Sequence, residues 1–169
     1  VTLFQMTYVG APMVYYGTEV GMWGADDPDD RKPMVWSDLD YEVEDDHPFG
    51  QDRPADPVRV NRDLLTFYRD AIQFRRDTPA LRSSHFETLQ ADDERSTFAY
   101  ARGEGDAPVV VVLNRSAEAH SLRLPLPDSL RGSYDISLST VDEGTRVQND
   151  GTALLLELPA TSGVALTKR

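Results

Sequence analysis

The spacing of apolar residues changes period near residue 85, and that change divides the chain in two. Before it, the clearest pattern is helical. Val60, Leu64, Tyr68, Ile72 and Arg75, with Leu65 and Phe67 beside them, form a broad apolar stripe and predict a helix over 58–77. Asp56 is placed to cap it and Pro57 suits its first turn. Thr78-Pro79 ends it, because a residue before proline is pushed out of the α region. Val1 to Val9 is apolar at Val1, Leu3, Phe4, Met6 and Val9 and has no capping residue, so it reads as a helix entered midway. Met13 to Tyr16 is a short apolar run bracketed by Gly and Pro, the pattern of a buried strand. Gly17, Gly21 and Gly24 then allow sharp turns just past its end.

After residue 85 the period is two. Strands are predicted over 85–89, 96–102, 109–114, 121–124, 134–138, 152–158 and 163–167. Turn signals separate them at Asp92-Asp93, Gly103 to Asp106, Pro127-Asp128, Gly132 and Asn149 to Gly151. Short strands at this spacing predict an antiparallel sandwich. Val109 to Leu113 is wholly apolar and belongs at the centre of a sheet, covered on both faces.

Between the two patterns lies a long excursion, Arg31 to Pro57, with several prolines and the carboxylates Asp38, Asp40, Glu42, Glu44, Asp45 and Asp46. Loops of this length are functional or mobile. The part through Trp36 is read as functional, with Met34 and Trp36 packing it down. The part from Asp38 onward is read as a solvated acidic loop.

Composition narrows the chemistry. Asp and Glu number 29 against 17 Lys and Arg, for a net charge of −12. Nucleic acid is therefore excluded as a partner, since neutralising phosphates needs basic surface. Lys32 and Lys168 are the only lysines, and the acidic balance fits either solubility at high salt or an ordinary acidic protein. Without cysteine there is no disulfide and no thiolate chemistry. His47, His85 and His120 have no ligand spacing, and no phosphate-cradling glycine motif is present. The sequence supports no cofactor and no metal site. No apolar run reaches membrane-spanning length. No signal peptide opens the chain, which reads as truncated; the expected product is soluble, with no compartment assigned.

Gly10-Ala-Pro-Met-Val-Tyr-Tyr-Gly-Thr-Glu-Val-Gly21, followed by Asp-Asp-Pro-Asp-Asp-Arg-Lys-Pro-Met-Val-Trp, resembles the end of the catalytic barrel in the α-amylase superfamily of glycoside hydrolases, the neopullulanase and cyclomaltodextrinase type in particular. Val9 stands where that family often has Pro, and Thr18 where it often has Asp. The helix sequence Leu64 to Leu81 and the strands Ser96 to Arg102 and Val109 to Ser116 are similar to the elements that follow in the same family. The resemblance implies that Met13 to Tyr16 is the eighth and last barrel strand, that residues 1–80 close a (β/α)8 barrel, and that 81–169 are the C-terminal β-sandwich.

The same resemblance places the nucleophilic Asp, the acid Glu and the stabilising Asp on earlier barrel strands, so no catalytic residue is expected here. Glycoside hydrolysis needs two opposed carboxyl groups. Glu19 is expected to serve the loop by accepting backbone hydrogen bonds. Asp27 and Arg31 are similar in position to family residues that hold glucose units, and a carboxylate beside a guanidinium suits vicinal hydroxyls. A surface ion pair is the alternative. The implied parent is a retaining hydrolase of α-glucosidic bonds in starch-like oligosaccharides, with an α-glucan oligosaccharide and the rest of the barrel as partners; a calcium ion in that parent is left open. The isolated chain is expected to be inactive and to self-associate through its barrel-facing apolar surface. A rival reading is a non-catalytic sandwich that binds glycan or stabilises a neighbouring domain. Phe98 and Tyr100 share one strand face and look more like core than like a sugar platform.

Overall fold

Among the described residues, eight strands arrange as two antiparallel sheets, one of five (Phe86–Asp92, Thr97–Arg102, Val109–Asn114, Ser162–Lys168 and Tyr134–Ser139, in that order) and one of three (His120–Pro125, Ala153–Leu158 and Arg146–Asn149). The computed structural model describes residues 1–105 and 107–169, so Asp106 of the expected 103–106 turn lies outside the described residues. The strands are β1 (Phe86–Asp92), β2 (Thr97–Arg102), β3 (Val109–Asn114), β4 (His120–Pro125), β5 (Tyr134–Ser139), β6 (Arg146–Asn149), β7 (Ala153–Leu158) and β8 (Ser162–Lys168). Two α-helices, α1 (Thr2–Thr7) and α2 (Arg62–Asp77), precede them. The chain divides into two compact units: Val1–Pro12 with Asp70–Arg169, and Met13–Arg69.

Alternation along the strands builds the sandwich core. Ala99 and Ala101 of β2, Val110 and Val112 of β3, and Val164 and Leu166 of β8 face Leu122 and Leu124 of β4 and Leu154, Leu156 and Leu158 of β7. Within the first sheet, Ala99 pairs with Val112 and Ala101 with Val110, so small and branched residues alternate across the ladder. The expected central strand holds: β3 is flanked by β2 and β8, and Val109 to Val112 are all buried.

The opposite face of the five-stranded sheet is also covered, in part by α1, whose Leu3 and Met6 are buried. Gly163 makes this fit possible. A Cβ there would lie 2.7 Å from Leu113 Cδ2 and 3.0 Å from Leu3 Cδ2. Phe4, Tyr8, Phe86 and Tyr100 form linked ring contacts on the same face, with Phe86 and Tyr100 stacked at 5.2 Å. Tyr100 is fully buried, as a core residue should be.

Four expectations need correction. The strand expected over Met13–Tyr16 does not form; these residues lie outside the strands given above, and Met13 is 72% exposed. An apolar run becomes a strand only where a neighbour completes its hydrogen bonds. Helix α2 starts at Arg62 rather than Val58, because Asp56 is engaged elsewhere: it exchanges backbone hydrogen bonds with Glu44. Asn61 caps the helix instead, accepting the Leu64 N–H at 3.0 Å. Strand β6 was not expected, since Val147 is its one apolar residue and a short polar edge strand shows no period. Finally, β1 carries a bulge between Thr88 and Gln90 and runs on to Asp92.

Candidate functional site

The loop from Gly17 to Trp36, in the unit Met13–Arg69, is built from tight turns. Gly17 and Gly21, at φ +86° and +79°, bracket a single 3-10 turn over Thr18–Val20, a backbone shape that side chains other than glycine disfavour. Gly24 permits a second closure, since a Cβ there would lie 2.8 Å from Asp30 Cα. The acidic tract then folds on itself. Asp29 N–H donates to Asp26 O at 2.6 Å and Arg31 N–H to Pro28 O at 3.1 Å, while Asp29 Oδ2 accepts the Ala25 N–H at 2.9 Å. The Asp27–Pro28 peptide is cis.

This folding brings Asp27 and Arg31 together. Asp27 Oδ1 and Arg31 Nη2 form an ion pair across one turn, with Arg31 58% and Asp27 65% exposed. The carboxylate keeps one oxygen outside the pair, and the guanidinium keeps the remainder of its donor fork. Tyr15 and Tyr16, with rings 4.9 Å apart, immediately precede this loop, and Tyr16 Oη donates to Lys32 O at 2.8 Å.

Behind the pair lies a charge cluster that sequence reasoning missed. The Arg53 side chain is 5% exposed, and its guanidinium carbon sits 3.7 Å from the Trp23 ring centre. Glu44 is shared: Oε2 meets Arg53 at 3.1 Å and Oε1 accepts Lys32 Nζ at 2.8 Å. Asp56 adds a contact to Arg53 at 3.4 Å. The stretch after Asp38 is therefore not simply solvated, because Glu44 and Arg53 pin it to the glycine-rich loop through Lys32 and Trp23. These contacts span 30 residues between Trp23 and Arg53, a separation that leaves no local pattern. The one visible signal is an arginine set among carboxylates. Trp23, Lys32, Tyr41, Arg53 and Asn61 line a cleft of about 940 Å³ within this unit.

Two other site expectations fare differently. Trp36 does not pack the loop down, being 57% exposed; the buried residue there is Val35. Tyr41 Oη accepts the Trp36 N–H at 2.6 Å, which fixes the backbone and leaves the ring outside. Glu19 Oε2 is enclosed and takes no hydrogen bond among the described residues, so that oxygen does not serve the turn as expected. Among the described residues no helix is long and apolar enough to cross a membrane.

The fold defines the class first: a two-sheet antiparallel sandwich of the amylase C-terminal type. Residues 86–163 match the family described as Maltogenic Amylase, C-terminal domain. The chain is 34% identical over 157 residues to a cyclomaltodextrinase from Geobacillus thermopakistaniensis, covering 93% of this chain and 23% of that protein. It is 35% identical over 127 residues to neopullulanase 2 from Thermoactinomyces vulgaris, covering 75% of this chain and 18% of that protein. A solved cyclomaltodextrinase structure aligns with a TM-score of 0.70 at 26% identity, over 99% of this chain and 25% of that one. The chain belongs to the α-amylase family and corresponds to a C-terminal segment of its enzymes. It spans less than a quarter of the length of these curated relatives.

Proposed function

We propose that this chain is the C-terminal part of a retaining glycoside hydrolase acting on α-glucosidic bonds of starch-like oligosaccharides, and that Asp27 and Arg31 hold a sugar unit. Residues 1–80 would close the catalytic barrel and 81–169 form the sandwich. The observation that carries the reading is the exposed Asp27–Arg31 pair at the head of a folded loop. In a barrel enzyme, loops that follow strands line the substrate face. An exposed ion pair contributes little to stability, which leaves both groups available for ligand. The relatives' names, cyclomaltodextrinase and neopullulanase, support an α-glucan as that ligand.

Taken alone, the chain is inactive on this reading, since two opposed carboxyl groups on the reacting bond are what the chemistry requires. It also self-associates. Met13, Tyr15, Tyr16, Leu39, Val43 and Phe49 are exposed apolar side chains of one unit, and such surface is normally covered by a partner. The rival glycan-binding sandwich is disfavoured by the full burial of Tyr100.

The test is kinetic, in an enzyme that carries this chain at its C-terminal end. Arg31→Ala should raise KM for long maltooligosaccharides roughly ten- to a hundredfold, the loss of one charge-assisted hydrogen bond. The value of kcat should fall much less, because the contact lies away from the bond cleaved. An unmoved KM in both Arg31→Ala and Asp27→Ala would reduce the pair to a surface ion pair.

A further inference from the structure

Two arginines of the sandwich unit donate to the backbone between Met6 and Gly10, Arg75 through all three of its bonds and Arg102 through one of four. Arg102, at the end of β2, is 0% exposed and donates to four carbonyl oxygens: His85 at 2.9 Å, Thr7 at 2.5 Å, Leu81 at 3.2 Å and Ser83 at 2.6 Å. Arg75, on α2, donates to Met6 O at 2.7 Å, Tyr8 O at 3.1 Å and Gly10 O. Among the described residues neither arginine forms an ion pair with a carboxylate. Consecutive carbonyls from Met6 to Tyr8, and that of Gly10 beyond them, are thus each taken by a guanidinium.

A buried cation with no counter-ion is a poor device for stability alone. An apolar side chain of similar volume would fill the same space without desolvating a charge. Burial does push both guanidinium pKa values down, and the two like charges also oppose each other. What the arrangement supplies is direction. Carbonyls at the end of a short helix carry partial negative charge, and a guanidinium fork accepts them in a small set of geometries. The chain is held over Met6–Tyr8 and again at Gly10, whose φ of +99° marks a turn. Only Ala11 and Pro12 then separate this anchor from the unit that carries Asp27 and Arg31.

We infer that Arg102 and Arg75 form a carbonyl clamp through which the sandwich fixes the path of the chain at Gly10, making both arginines positioning residues for sugar binding on the loop that follows. The inference rests on the sugar-holding role proposed for Asp27 and Arg31. It gives the sandwich a task that a glycan-binding module would not have.

Hydrogen exchange on the whole chain tests the clamp without reference to sugar. In Arg102→Lys, one ammonium cannot serve four divergent carbonyls. The Tyr8 amide, bonded to Phe4 O at 2.8 Å, and the Ser83 amide, bonded to Ala80 O, should lose protection tenfold or more. The Val110 and Val164 amides, in the central ladder, should keep theirs. Equal loss at all four, or no loss, overturns the clamp. If Arg102→Lys does not fold, the half-buried Arg75 gives the same reading at Tyr8 through Arg75→Lys. In an enzyme carrying the chain, Arg75→Lys should raise KM for long maltooligosaccharides at least threefold with kcat nearly unchanged. A KM that moves in Arg31→Ala but not in Arg75→Lys overturns this inference alone and leaves the sugar-holding pair standing. A KM that moves in neither overturns both.

Discussion

The hydroxyl of Tyr100 and that of Thr7, 93 residues apart in the chain, lie 2.6 Å from each other inside the sandwich unit. Their roles are assignable. Thr7 Oγ1 also lies 2.6 Å from Leu3 O, which can only accept, so the single Thr7 proton goes there and Tyr100 is the donor to Thr7. Tyr100→Phe removes that donor and leaves the Thr7–Leu3 bond in place. Stability should fall by about 1 kcal/mol. Urea unfolding with an unchanged m-value would show it.

Alkaline titration should reveal two tyrosines. Burial pushes Tyr100 and Tyr134 up to about 12, from an ordinary value near 10. Both groups are neutral in either state below pH 10, so their contribution is fully present there. Above pH 10 the unfolded chain loses these protons while the folded one keeps them, and stability falls until about pH 12. The loss amounts to roughly 2 to 3 kcal/mol per tyrosine. Unfolding free energy measured from pH 9 to 12 should drop less steeply in Tyr100→Phe and in Tyr134→Phe.

Gly103→Ala should be strongly destabilising. Gly103 has φ +77°, and a Cβ there would lie 2.5 Å from the Ala80 Cβ and 2.9 Å from its Cα. The backbone shape alone costs about 1 to 3 kcal/mol for a residue other than glycine. The overlap falls on backbone as well as on a methyl group, so no flexible side chain can move aside. A thermal melt should show a midpoint several degrees lower.

Asn61→Ala should fray the start of α2 and cost about 1 kcal/mol, since the Leu64 N–H loses its acceptor. Asn61→Asp should retain most of the stability, because a carboxylate caps as well as an amide. Exchange of the Leu64 amide reads the effect directly.

Local patterns carried most of this architecture and little of its long-range chemistry. Val109 to Leu113 announced a central strand because covering both faces requires an unbroken apolar run. Asp27 and Arg31 were legible because the family resemblance points to them, and their spacing brings them together across one turn. The edge strand β6 was not, having Val147 as its one inward residue. Arg102 reads in sequence as the polar end of a strand, yet it is fully buried, because the carbonyls that receive it come from two distant places in the chain, Thr7 and the stretch from Leu81 to His85. Met13 to Tyr16 shows the opposite failure. Its composition describes a strand, but a strand is a property of two neighbours rather than one.

The cover that α1 gives to the five-stranded sheet sets where this chain can be divided. Shortening it to begin at β1 would strip away Leu3, Met6 and Thr7 and leave Gly163 facing water, with Tyr100 without its acceptor and Arg102 without any of its four. A minimal sandwich for crystallisation or binding work should therefore keep residues 1–12, joined to 70–169 by a short linker or supplied as a separate peptide. The sandwich is complete only with a helix that precedes it in the chain by some eighty residues.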